Sequence, residues 1–108
     1  MVLYAAADLL WATRIKNTAD DLRVPCRPAR DAEMLRARLD DSDVRLVLLD
    51  LEAPETAREL LGVLRGEGAG ERERSVGVIA WGPHVAVGLL EEAKRLGADR
   101  VMPRGAFR

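Results

Sequence analysis

Apolar and polar positions fall in short blocks along this chain, each with one of two periods. Val2 to Ala6 is a brief apolar run that predicts a first strand. From Asp8, a suitable N-cap, Leu9, Ala12, Ile15, Ala19 and Leu22 recur every three or four residues, the stripe of an amphipathic helix. Arg14, Lys16, Asn17, Asp20 and Asp21 fall on its other side. Val24 to Ala29 is short and holds two prolines, which cannot donate to a sheet ladder, so it reads as an edge strand. Asp31 to Leu39 is a second helix with Ala32, Leu35 and Leu39 inward, and Asp40-Asp41-Ser42-Asp43 is an acidic turn. Then, after Val44, the four apolar residues Leu46, Val47, Leu48 and Leu49 run straight into Asp50. A strand apolar on both faces is the pattern of a central parallel strand with helices above and below.

Pro54 suits the first turn of a third helix, and Glu52 and Glu55 suit its positive end. Its buried stripe is Ala57, Leu60, Leu61 and Leu64. The stretch from Gly66 to Arg74 carries three glycines and alternating charge and reads as a flexible surface loop. Val76 to Trp81 is a fourth strand, stopped by Gly82-Pro83. His84 to Leu96 is a helix with Ala86, Leu89, Leu90, Ala93 and Leu96 inward, Lys94 and Arg95 at its negative end and Gly97 at C′. Arg100-Val101-Met102 is a last short strand, and Pro103 to Arg108 leads out. Strands separated by single helices imply a parallel sheet with right-handed crossovers. The expectation is one domain over residues 1–108: a flavodoxin-like α/β three-layer sandwich with a five-stranded parallel sheet in the order 2-1-3-4-5.

Composition narrows the function classes. The formal net charge of -1 gives no electrostatic case for nucleic acid. One cysteine, Cys26, excludes an internal disulfide and a multi-cysteine metal site, and nothing in its setting points to a lowered pKa. No apolar run nears the length of a membrane span, and the N-terminus lacks the basic start of a signal peptide, so the cytoplasm is the default.

In an open α/β sheet, ligands bind at the carboxyl ends of the strands, which puts Asp50 where chemistry is expected. His84, Arg104 and the amides opening the helix at His84 form a candidate anion site, against a plain reading in which His84 caps or packs near Trp81. Trp11 and Trp81 read as packing residues. Ala5-Ala6-Ala7-Asp8 stands where a nucleotide or flavin site would need a glycine-rich loop. No base, nucleophile and oxyanion set can be assembled, so an enzyme is not expected and no catalytic residue is assigned.

Three stretches together resemble the receiver (CheY-like) domains of bacterial two-component response regulators. Leu48-Leu49-Asp50-Leu51-Glu52-Ala53-Pro54 looks like the phospho-acceptor aspartate with its proline four residues on. Val78-Ile79-Ala80-Trp81-Gly82 is similar to the fourth strand, and Gly97-Ala98-Asp99-Arg100-Val101-Met102-Pro103-Arg104 to the lead into the fifth. The resemblance implies phosphoryl transfer to Asp50 with a bridging Mg²⁺. It also implies an acidic pair at the end of strand one, where this chain has Ala6-Ala7, with Asp8 the one acid left beside them. The hydroxyl residue expected after strand four is Gly82, the lysine is Arg104 and the proline after it is Gly105. Asp8 and Asp50 remain as weak Mg²⁺ candidates, and Mg²⁺ is expected only if Asp50 accepts phosphate.

The expectation is therefore a degenerate pseudo-receiver, a phosphorylation-independent interaction module of bacterial signal transduction without a cofactor. The alternatives are a phospho-accepting receiver using Asp50 and a small anion- or ligand-binding α/β protein. In the bland reading Asp50 pairs with Arg104 or caps a loop amide. Receiver domains carry a fifth helix after strand five, and here the sequence given runs to Arg108 with no room for one. The outer face of strands three to five is expected to be partly open and to meet another protein or a second copy.

Overall fold

The computed structural model describes residues 1–6, 9–82 and 87–103. The elements follow the order β1 (Val2–Ala5), α1 (Leu9–Asp21), β2 (Cys26–Pro28), α2 (Ala32–Asp41), β3 (Leu46–Asp50) and α3 (Pro54–Arg65), then α4 (Glu71–Ser75), β4 (Gly77–Gly82), α5 (Val87–Arg95) and β5 (Arg100–Pro103). All strand pairs are parallel, and the sheet order is β2-β1-β3-β4-β5. This is the flavodoxin-like sheet read from the alternation. β3 lies at its centre and is the only strand with four of its five residues buried in succession, Val47 to Asp50, among the described strands. The proline-containing β2 takes an edge.

The two sides of the sheet are unequally covered. On one side, α2, α3 and α5 pack over Leu3, Val47, Leu49, Val78 and Ala80, all fully buried. The α3 stripe of Ala57, Leu60, Leu61 and Leu64 is buried as its spacing predicts. Asp31 caps α2 by accepting the Met34 N–H at 2.7 Å. On the other side, α1 lays Trp11, Ile15 and Ala19 against Cys26, Leu48 and Trp81. The phase of α1 corrects the predicted stripe: Trp11 is buried, whereas Leu9 is 81% and Leu22 69% exposed. A ring as large as Trp11 removes more apolar surface from water than Leu9 can, and Leu22 lies past the end of the helix.

Two further boundaries differ from expectation. The predicted flexible loop contains α4. Its first turn is closed by the Gly70 N–H on Glu73 Oε2, and Arg74 donates to the carbonyls of Ala69 and Gly66. The helix expected from His84 begins, among the described residues, at Val87, and the inward position predicted for Ala86 lies outside them. Ala93 is buried in α5 as expected, with Leu89, Leu90 and Leu96 half-buried. Gly97 follows α5 with φ of 110°, the left-handed C′ conformation. No helix follows β5 among the described residues.

Candidate functional site

Asp50 ends β3 at the carboxyl edge and is 1% exposed. A buried carboxylate needs partners. One oxygen accepts the Glu52 N–H at 3.0 Å, a turn closed by the side chain, and the Asp50 carbonyl accepts the Ala53 N–H. The capping of a loop amide expected for Asp50 is thus present. This turn feeds directly into α3, whose Pro54 occupies the first turn.

The register decides what stands beside Asp50. Ala5 pairs with Leu49, so Ala6 is level with Asp50 on the β1 side. On the β4 side Asp50 pairs with Trp81, whose carbonyl accepts the Leu51 N–H at 2.8 Å. Trp81 is fully buried and meets Trp11 with ring centroids 5.7 Å apart, tilted by 50°. Packing is thus the role of both tryptophans. Mg²⁺ takes oxygen ligands; a methyl group and an indole offer none.

Gly82 occupies the strand-end position where the resemblance implies a hydroxyl residue, and the space beside it is tight. A Cβ there would lie 3.2 Å from Leu51 Cβ, so that Leu51 would have to give by a few tenths of an ångström, and 3.7 Å from Leu90 Cδ2, an ordinary contact. Two leucines therefore border the β4 end. Neither stood out in sequence, because nothing in their spacing marks contact with a glycine from another strand. Asp8, His84 and Arg104 lie outside the described residues, so the pairing of Asp50 with Arg104 and the anion site at His84 and Arg104 do as well. Among the described residues no group of three His, Cys, Asp or Glu side chains could hold a metal ion. Cys26 is buried, and burial pushes its thiol pKa up from 9.0, against a smaller downward pull from Lys16. No helix among the described residues is long and apolar enough to cross a membrane.

No protein-family model matches the sequence, and no curated protein matches it. Solved structures do. A response regulator signal receiver domain from Bermanella marisrubri superposes with a TM-score of 0.76 at 16% identity, over 95% of this chain and 83% of that one. This chain has the receiver fold. NtrX from Brucella abortus, solved in complex with ADP, gives a TM-score of 0.74 at 20% identity over 99% of this chain and 23% of its own. The receiver-like domain thus spans about a quarter of the NtrX chain. Its Asp50 ends the third strand of that fold, with Ala6 on one side and Trp81 on the other.

Proposed function

We propose that this receiver-like domain acts as a phosphorylation-independent interaction module in bacterial signalling, inside the cytoplasm. The observation that carries this reading is the setting of Asp50: Ala6 and Trp81 flank it in register, and Leu51 and Leu90 border Gly82. An acyl phosphate on Asp50 would raise the charge at this buried edge from one negative to two, and neither Ala6 nor Trp81 beside it offers a side-chain oxygen to the bridging metal. The retained carboxylate has a local task, the turn into α3.

The test is titration with Mg²⁺ and beryllofluoride, a mimic of the acyl phosphate, read by tryptophan fluorescence. Trp81 pairs with Asp50 and reports on its surroundings. The expected result is no saturable change, and no difference between the natural protein and Asp50→Asn. A Mg²⁺-dependent change abolished by Asp50→Asn would restore the phospho-acceptor reading.

A further inference from the structure

The side of the sheet covered by α1 is only half closed. Leu46, Ile79 and Met102 on β3, β4 and β5 share the face of Trp81 and are each partly exposed, whereas Val47 and Val78 on the opposite face of β3 and β4 are fully buried. Five strands span about 19 Å at their usual spacing, and one helix covers about 10 Å. Trp11 leans toward β4, where it meets Trp81. At 100° per residue, Arg14 lies on that flank of α1, away from Ile15 and Ala19. Its guanidinium stacks on Trp11 at 5.4 Å. The opening thus has an apolar floor, Arg14 along one wall, and the exposed Arg100 at its β5 rim.

We propose that this opening receives one helix from a partner protein, apolar on its buried face and acidic along its flanks. This names the partner of the interaction module and rests on that reading. Two observations choose the occupant. The floor is about two strand spacings wide and four residues long, on the order of 150 Å². A stable dimer needs about 800 Å² from each copy, so a second copy would find too little area, while a few turns of helix fit. Charge makes the other choice. Neither Arg14 nor Arg100 forms a salt bridge among the described residues, and they stand at opposite rims. Asp21, also on this flank of α1, lies at its far end and leaves the upper rim cationic. Acidic side chains flanking an apolar stripe would complement both cations, and basic ones would be repelled.

The probe is a synthetic helical peptide with leucine and alanine on one face and glutamate on both flanks, compared with a peptide carrying lysine instead. Tryptophan emission during titration should saturate with the glutamate peptide and require at least about tenfold more of the lysine peptide. Ile79→Asp should abolish binding. Because that variant also threatens the fold, the paired charge reversal Arg14→Glu with Arg100→Glu provides the independent arm and should reverse the preference. Equal binding of both peptides, or of neither, overturns the proposal. So does a dimer in sedimentation velocity that the charge reversal disrupts, which would make a second copy the occupant. Repeating the titration with Mg²⁺ and beryllofluoride separates the two readings. Unchanged affinity keeps both, and binding seen only with them removes phosphorylation independence while leaving the docking surface.

Discussion

Arg65 makes the densest set of polar contacts in the described structure and touches no part of the candidate site. Its guanidinium donates to the carbonyls of Leu64, Glu73, Val76 and Gly97 and to Asp99 Oδ2, which also accepts the Val78 N–H. Its side chain is only 13% exposed, so the bonds form in a largely dry setting. Arg65→Met should lower the unfolding free energy by roughly 2–4 kcal/mol, measured by urea denaturation, because buried carbonyls lose their donor. Gly97→Ala should cost roughly 1–3 kcal/mol in the same assay: its φ is 110°, and a Cβ would meet Arg65 Cγ at 2.7 Å. At Cys26 the folded thiol holds its proton more tightly than the unfolded one. Stability should be full below pH 9.0 and fall as pH rises through the folded value, a decline that denaturation curves should not show for Cys26→Ala. The C′ position of Gly97 was legible in the sequence; the contacts of Arg65 were not. Arg65 reads there as the basic last turn of a helix, and all its partners but Leu64 lie 8 to 34 residues away.

Elements with a dense, unambiguous stripe were legible; those set by competition between surfaces were not. The α3 leucines allow one inward face only, and the structure buries it. In α1 two phases fit the apolar spacing, and the contact of Trp11 with Trp81, a residue six elements further on, selects between them. For α4 the composition was misleading. Three glycines and alternating charge describe a solvated loop, yet the charges are arranged to donate to carbonyls of that same stretch and, through Arg72, to Asp40 on α2 at 3.0 Å. In Arg65→Met the amides of α4 and the start of β4 should exchange with solvent faster than those of α1, a comparison that hydrogen exchange makes within one sample. Uniform acceleration through the whole chain would instead mean that Arg65 acts only on global stability.

On the scale of the whole molecule, the sheet order was legible because alternation of strand and helix leaves few topologies open. The site was legible in part: Asp50 lies at the strand end and caps its turn, but which side chains crowd the Gly82 end depends on register and packing. Placing an acid back beside Asp50 tests that crowding. Ala6→Asp alone should give no saturable Mg²⁺ response in tryptophan emission, since Trp81 and the tight Gly82 end remain. A response would show that one missing oxygen ligand was the whole defect. The long separation of Trp11 from Trp81 also matters while the chain is being made. Helix α1 leaves the ribosome early, but its main aromatic partner is 70 residues further along (81 minus 11). At about 5–20 residues per second, α1 waits several seconds for β4. Until then Trp11 lacks its aromatic partner, and nascent α1 has an incompletely covered face open to chaperone capture.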